Sequence, residues 1–271
     1  MPRPYENLIS ATDLTAEMAN GRLVILDCRA KLGDLKWGQQ VYAAGHIEGA
    51  VHADLDRQLA SAPGVAGRHP LPPMSEWVAT LQSWGVSDDT QVVVYDDMGG
   101  AMAARAWWML RWAGHGAVAL LDGGLQAWQQ PLTTEVPNST PSNFAAASSL
   151  ATLVRVEDLL AADQPHNLVD ARAEPRFAGR EEPIDPVAGH IPGAVCLPFQ
   201  ANLGSDGRFL SKSELQARFD ELPDPLVCYC GSGVTACHNL LALHICGRDA
   251  ALYADSWSGW ITDPSRPVAT S

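Results

Sequence analysis

The sequence predicts an α/β protein with two homologous domains, each a parallel sheet flanked by helices. Three observations predict this class: a long internal repeat, short apolar runs that alternate with helical runs in each copy, and a polar segment between the copies. Strands that alternate with helices of this length form parallel sheets with helices on both faces.

The internal repeat is carried by motifs that occur in the same order in both halves. "ILDCRA" at 25–30 is similar to "LVDARA" at 168–173, and "AGHIEGAVHADL" at 44–55 is similar to "AGHIPGAVCLPF" at 188–199. In the same way "VVVYDD" is similar to "LVCYCG". The matches span whole domains, so they indicate a domain duplication rather than a short solenoid repeat.

The segment between the copies is "PLTTEVPNSTPSNFAAASSL", which is rich in Pro, Ser, Thr and Asn and has no apolar period. Such a composition is typical of a linker. We therefore predict an N-terminal domain over 1–130, a linker over 131–150 and a C-terminal domain over 151–271.

Each copy contains its own strands and helices. In the first, "RLVILDCR", "QVVVYDD" and "AVALLDGG" are predicted strands, and "AMAARAWWMLRWAG" is a helix whose tryptophans we expect to pack in the core or between the domains. In the second, "NLVDAR", "PLVCYC" and "DAALYAD" are predicted strands. The helix "SKSELQARFDEL" starts with a capping box from Ser211 to Glu214, and "VTACHNLLALHICG" is a helix that ends at Gly247.

The composition excludes several classes of function. A net charge of −13 argues against a nucleic-acid-binding surface, which needs clustered Lys and Arg. We find no long apolar run and no signal-peptide pattern in the sequence, so we expect a cytoplasmic protein with no membrane partner. The chain is too long to need a disulfide scaffold, so we expect reduced thiols at the six cysteines, which are Cys28, Cys196, Cys228, Cys230, Cys237 and Cys246.

Cys230 is the candidate nucleophile. It ends an apolar run in "CYCGSGVTACH", and a glycine-rich turn follows before the next helix. Sites in open α/β sheets form at the carboxyl ends of strands. Backbone N–H groups of such a turn, together with a helix N-terminus, form a nest for an anion. We expect these amides to stabilise the Cys230 thiolate, because the loop has no Lys or Arg.

The first copy has Asp96 at the position of Cys230, so we expect its domain to be catalytically silent. Its loop, "DDMGGAMAAR", is two residues longer than the second, taking Ala104 as the match of Ala236. We therefore expect its amides not to converge on one point.

Other roles for the cysteines remain alternatives. Buried structural cysteines are common in apolar strands, and that role fits the five cysteines other than Cys230. Cys228, Cys230, Cys237 and His238 could form a zinc site, but their spacing is not a common tetrahedral set. A cysteine phosphatase needs an arginine six positions after the cysteine, where this chain has Ala236. We expect neither a metal nor an organic cofactor.

The residues described so far resemble the rhodanese superfamily, and specifically its tandem-domain sulfurtransferases. The motifs that carry the resemblance are the two "GHI" segments, the Asp-x-Arg at the end of the first strand of each copy, "CGSGVTACH" and "SWSGW". Within the superfamily, the loop "CGSGVT" resembles the 3-mercaptopyruvate sulfurtransferase type, whereas thiosulfate sulfurtransferases typically carry basic residues after the cysteine. The resemblance implies that four residues of the loop bind the donor; they are Gly231, Gly233, Val234 and Thr235.

The resemblance also implies roles for residues outside the loop. Arg176 matches the arginine that holds the substrate carboxylate, and Arg180 could stand in for a second substrate arginine that the chain lacks in register. Asp56, His69 and Ser232 match a proposed proton relay. The two histidines of the "GHI" motifs are expected to be structural.

The implied function is transfer of a sulfane sulfur from 3-mercaptopyruvate to a thiol or cyanide acceptor through a Cys230 persulfide. A thioredoxin-like protein is an expected thiol acceptor. With Arg176 as the one assigned arginine, we expect a monoanionic keto acid to be preferred over the thiosulfate dianion. The alternatives are thiosulfate sulfurtransferase activity and a non-catalytic module that binds partners.

Overall fold

The computed structural model describes residues 4–19, 22–161 and 167–271, which form two compact units. The first unit comprises the described residues of Met1–Ala60, Pro72–Ala151 and Ser205–Arg208. The second comprises Ser61–Leu71, the described residues of Thr152–Gly204, and Phe209–Ser271. A short segment from the first half of the sequence, Ser61–Leu71, therefore belongs to the second unit.

The first unit is built on a parallel sheet of strand order β1-β5-β4-β2-β3. Trp107 and Trp108 of its α4 helix are buried, as the sequence predicts, whereas Trp112 is only partly buried. Its elements are β1 (Leu8–Ile9), α1 (Ala11–Glu17), β2 (Leu23–Asp27), α2 (Trp37–Ala44), β3 (Ala50–His52), α3 (Met74–Ser83), β4 (Gln91–Tyr95), α4 (Ala103–Trp112), β5 (Val118–Leu121) and α5 (Gly124–Ala127).

The second unit repeats this topology with the strand order β6-β10-β9-β7-β8, again parallel throughout. Its α8 helix begins with the predicted capping box between Ser211 and Glu214. Its elements are β6 (Thr152–Val154), α6 (Val156–Leu160), β7 (Asn167–Asp170), α7 (Glu174–Phe177), β8 (Val195–Cys196), a 3₁₀ helix (Phe199–Asn202), α8 (Lys212–Phe219), β9 (Leu226–Tyr229), α9 (Ala236–Cys246), β10 (Ala251–Tyr253) and α10 (Ser256–Trp260). The predicted α/β class and domain duplication are therefore confirmed.

The repeated Asp-x-Arg motif forms the same buried ion pair in each unit. Arg29 donates to both carboxylate oxygens of Asp27, at 3.0 Å from Nε and 2.6 Å from Nη2. Arg172 does the same to Asp170, at 3.1 and 2.7 Å. Each arginine also donates to the carbonyl of the glycine in the "GHI" motif. The motif thus ties the first long strand of each sheet to the loop that precedes the edge strand.

The two "GHI" histidines are structural, as expected. His46 is fully buried, stacks on Tyr42 at 3.8 Å between ring centroids, and its Nδ1 contacts the Tyr42 carbonyl at 2.8 Å. His190 stacks on Phe177 at 3.7 Å and contacts its carbonyl at 2.8 Å. Both rings are therefore held by packing and a backbone hydrogen bond.

The segment 131–150 packs on the first unit. The N–H of Thr133 donates to the His46 carbonyl, and the N–H of Ser142 donates to the Gln82 carbonyl. Phe144 is buried. None of the named helices or strands falls in this segment.

Cys230 directly follows β9, a central and fully buried strand of the second sheet, and α9 begins six residues later. The candidate nucleophile is therefore at the carboxyl end of a parallel strand, where ligand sites of such folds lie. Among the described residues, no helix is both long and apolar enough to span a membrane.

Candidate active site

The backbone of Cys230 is fixed by the start of α10. Its N–H donates to Oγ of Ser256 at 3.1 Å, and its carbonyl accepts the N–H of Trp257 at 3.0 Å. The carbonyl of Gly231 accepts the N–H of Ser258 at 2.9 Å. The "SWSGW" motif thus fixes the backbone at the end of β9 where Cys230 lies. Cys230 is only 2% exposed.

Ser256 has an unusual backbone conformation, with φ at +55°. Non-glycine residues seldom adopt this left-handed region. The corresponding residue of the first unit, at the start of α5, is Gly124 with φ at +59°. Ser256 is fully buried, and its hydroxyl donates to the Tyr253 carbonyl while accepting from Cys230. Glycine would be less strained at this backbone position, but only the serine supplies a hydroxyl that accepts the Cys230 N–H.

Two glycines of the loop have close neighbours at the position of a Cβ. Gly233 has φ at +75°, and a Cβ there would collide with the Ala254 carbonyl. A Cβ at Gly231 would lie 2.8 Å from Nη2 of Arg68 and 3.6 Å from both Nη atoms of Arg176. The absence of a side chain at Gly231 therefore lets two guanidinium groups approach the backbone beside Cys230.

In the first unit, the loop that follows β4 binds a carboxylate through its backbone N–H groups. The buried carboxylate of Asp96 accepts four backbone N–H groups at 2.7 to 2.9 Å, from Met98, Gly100, Met102 and Ala103. The expectation that these amides do not converge is therefore wrong. Positive φ values at Gly99 and Gly100 turn the longer loop back on the carboxylate.

His69 and Ser232 are in contact within the second unit. Nδ1 of His69 lies 2.7 Å from Oγ of Ser232, and both residues are buried. The segment that carries His69 is fixed on α10: the N–H of Arg68 donates to Oγ of Ser258 at 3.1 Å, and Thr262 donates to the Val65 carbonyl. The sequence placed His69 in the N-terminal domain, but Ser61–Leu71 belongs to the second unit and brings His69 into contact with Ser232.

Arg176 is held by carboxylates rather than free in solvent. Its Nε contacts both carboxylate oxygens of Glu182 at 3.1 Å, and its Nη2 contacts Glu182 at 2.7 Å and Asp185 at 3.2 Å. Asp185 also forms an ion pair with Arg68. Both carboxylates are almost completely buried.

Arg68 is the residue of this site that the sequence analysis missed. Burial lowers the pKa of its guanidinium, the Cys230 charge raises it, and the neighbouring Arg176 cation lowers it further. Arginine nevertheless stays charged in proteins. The interpretation that one arginine serves this region is therefore corrected to two. The available signal was "GRHPLP", in which Arg68 directly precedes a predicted relay residue.

The remaining predicted site residues lie in different environments. Val234 is buried in the loop and Thr235 is the N-cap residue of α9. Arg180 is exposed and pairs with Glu174. Asp56 belongs to the first unit; burial, and then the charge of Asp54, raise the pKa of its carboxyl.

The other cysteines have the features of structural residues. Burial raises the pKa of the Cys196 thiol to about 11 and raises that of Cys228 further. Cys237 donates to the Gly233 carbonyl, and the His238 ring stacks on Phe209. Within the described residues, no group of three or more His, Cys, Asp or Glu side chains is placed to hold a metal ion.

Comparisons with known proteins agree with this geometry. The rhodanese-like domain model matches residues 10–131 and 152–263. A Pseudomonas aeruginosa protein named "Probable 3-mercaptopyruvate sulfurtransferase" is 52% identical over 97% of this chain and 98% of its own. The thiosulfate sulfurtransferase of Mus musculus is 35% identical over 94% of this chain and 92% of its own.

Among solved structures, the chain is similar to the 3-mercaptopyruvate sulfotransferase SseA from Escherichia coli. The two share 32% identity and a TM-score of 0.81, over 94% of this chain and 100% of SseA. The family model covers most of the chain in two copies, one for each sheet. The chain therefore belongs to the rhodanese family and carries two rhodanese-like domains.

Proposed function

We propose that the chain is a sulfurtransferase that moves a sulfane sulfur from 3-mercaptopyruvate to a thiol or cyanide through a persulfide on Cys230. This proposal rests mainly on the groups that surround Cys230. The thiol stands at a strand end beside two guanidinium groups and a His–Ser pair. The names of the relatives in Pseudomonas aeruginosa and Escherichia coli support the choice of donor.

In the first half-reaction the Cys230 thiolate attacks the donor sulfur. A sulfur–sulfur bond forms, the carbon–sulfur bond breaks, and pyruvate leaves as its enolate. The donor's S–H proton finally resides on the methyl carbon of pyruvate, so thiolate and mercaptopyruvate become persulfide anion and pyruvate. Arg176 binds the donor carboxylate through charge-assisted hydrogen bonds. This is covalent catalysis, for which ping-pong kinetics are expected.

Proton movement in this step is the proposed role of Ser232 and His69. Their contact at 2.7 Å supports a path in which a hydroxyl and an imidazole carry the donor's proton towards the enolate. Asp56 is the third proposed member of this relay.

The loop amides are proposed to hold the persulfide anion. This rests on internal homology, because Asp96 follows β4 as Cys230 follows β9, and the Asp96 carboxylate accepts four N–H groups. We propose that Gly231, Gly233, Val234 and Thr235 line the corresponding anion site.

In the second half-reaction an acceptor thiol attacks the outer sulfur and regenerates the Cys230 thiolate. Cyanide would leave as thiocyanate, and a thiol as its persulfide. We propose a thioredoxin-like protein as the thiol acceptor. The six cysteines are free, which suits a reducing compartment such as the cytoplasm.

Thiosulfate is the second candidate donor. Two guanidinium groups near Gly231 favour an anion of higher charge than the sequence analysis allowed. Glu182 and Asp185 offset both of these cations, however, so the group carries no formal net charge. The site therefore has little excess positive charge for a dianion, and a monoanion is the better match.

A side-by-side turnover assay with both donors tests this proposal. We expect kcat/KM for mercaptopyruvate to exceed that for thiosulfate by at least about tenfold, or about 1.4 kcal/mol of transition-state binding. Equal or faster turnover of thiosulfate would reverse the choice of donor. Turnover of neither donor, with no persulfide on Cys230, would instead support a non-catalytic module that binds partners.

A further inference from the structure

Two guanidinium groups converge on one backbone position beside the candidate nucleophile. The point where a Gly231 Cβ would lie is 2.8 Å from Nη2 of Arg68 and 3.6 Å from Nη1 and Nη2 of Arg176. Because Gly231 has no side chain, both guanidinium groups can lie close to the backbone next to Cys230.

Carboxylates hold the other edges of the two guanidinium groups. Asp185 forms an ion pair with Nη1 of Arg68 through Oδ1 and lies 3.2 Å from Nη2 of Arg176 through Oδ2. One carboxylate therefore bridges the two arginines and offsets the repulsion between their charges. Glu182 holds the Nε and Nη2 edge of Arg176.

We propose that Arg68 is a second binding residue for the donor carboxylate, acting with Arg176, and that Asp185 is a positioning residue for both. This inference rests on the proposed function. Nη2 of Arg68 faces Gly231 while Nη1 is held by Asp185, so one donor nitrogen is directed towards the loop. A carboxylate bound in front of Gly231 would accept from a nitrogen of each arginine.

Arg68 and His69 are neighbours in the sequence, and both lie next to the loop that follows β9. Ser61–Leu71 is fixed on α10, where the N–H of Arg68 donates to Ser258. One short segment thus supplies both a cation for the donor and the imidazole that contacts Ser232. Exposed Arg180, in contrast, is paired with Glu174.

Steady-state kinetics of Arg68→Ala and Arg68→Gln test the proposal, with mercaptopyruvate and with the analogue in which a neutral amide replaces its carboxylate. We expect KM for mercaptopyruvate to rise at least about tenfold with a smaller change in kcat, because a charge-assisted contact to the ground-state carboxylate is lost. Turnover of the amide should change less than threefold. An equal effect on both donors would show that Arg68 only supports the fold, and would overturn the proposal.

The double variant Arg68→Gln/Asp185→Asn separates donor binding from charge balance. If Arg68 served only to neutralise Asp185, removing both charges would restore KM; we expect KM to remain raised. Asp185→Asn alone should raise KM for mercaptopyruvate and leave turnover of the amide unchanged. Restoration of KM in the double variant would contradict the proposal.

Arg248→Ala is the matched control. Arg248 is a similarly buried arginine of the second unit, paired with Asp224, and it follows the C-terminus of α9, about 16 Å along the helix from the loop. The KM of the Arg248→Ala variant for mercaptopyruvate should equal that of the unmodified protein.

Mass spectrometry of donor-treated protein keeps the two proposals distinct. A persulfide on Cys230 in the unmodified protein, together with an unchanged KM in the Arg68 variants, would refute only the second arginine. No persulfide with either donor would refute the sulfurtransferase proposal itself.

Discussion

Nδ1 of His69 lies 2.7 Å from Oγ of Ser232, although 163 positions separate the two residues in the sequence. Both side chains are buried, and His69 belongs to a segment that packs with the second unit. A buried histidine in contact with a hydroxyl next to a candidate nucleophile is an arrangement that can transfer protons.

Ser232→Ala should lower the rate of turnover of mercaptopyruvate more than that of thiosulfate. The enolate that leaves mercaptopyruvate needs a proton, whereas sulfite leaves as a stable anion without one. We expect kcat for mercaptopyruvate to fall about 10²-fold, the lower range for general acid–base catalysis. The thiosulfate rate of the same preparation is the internal control. An equal fall with both donors would indicate that Ser232 only shapes the loop.

The pH dependence of kcat/KM tests the role of Asp56. Burial and the Asp54 charge raise the pKa of Asp56, while the Arg57 cation lowers it. If the relay needs Asp56 as a carboxylate, kcat/KM should fall as the pH is lowered, and the midpoint of that fall should lie above the ordinary pKa of Asp, about 3.9. Asp54→Asn removes a repelling charge and should move the acid limb to lower pH, whereas Arg57→Gln should move it to higher pH. An acid limb that neither substitution moves would exclude Asp56.

The left-handed backbone of Ser256 predicts an unusual order of stability. Ser256→Ala and Ser256→Gly both remove the hydroxyl that accepts the Cys230 N–H, but only glycine relieves the strain at φ +55°. We expect the glycine variant to be more stable than the alanine variant by about 1 kcal/mol, although alanine is the better helix former. Urea denaturation measures both free energies of unfolding. A more stable alanine variant would show that the backbone there is unstrained.

Most of the fold could be predicted from the sequence. Strand runs such as "VVVYDD" and "LVCYCG" combine β-branched residues with flanking turn residues, and the repeat shows which elements correspond. The capping box from Ser211 to Glu214 was equally local and is confirmed. Information contained in short segments was therefore sufficient for the three central strands of each sheet, but it did not reveal the strand order or the short outer strands β1, β3, β6 and β8.

The site could be predicted only in part, because its contacts are long-range. The resemblance singled out His69 and Ser232, and the structure brings them together. Arg68 was missed because no local pattern shows that Ser61–Leu71 packs on α10. The Asp96 loop was misjudged because loop length alone does not reveal which way its N–H groups point.

The most direct test of the account is the mass of the protein after treatment with mercaptopyruvate, followed by peptide mapping under non-reducing conditions. We expect a gain of about 32 Da, one sulfur atom, on the peptide that contains Cys230, and its loss when a thiol or cyanide is added. Cys230→Ser should show neither the mass gain nor sulfur transfer, and should retain the free energy of unfolding of the unmodified protein to within about 1 kcal/mol. Sulfur transfer that survives in Cys230→Ser, or a persulfide found on another cysteine instead, would contradict the account.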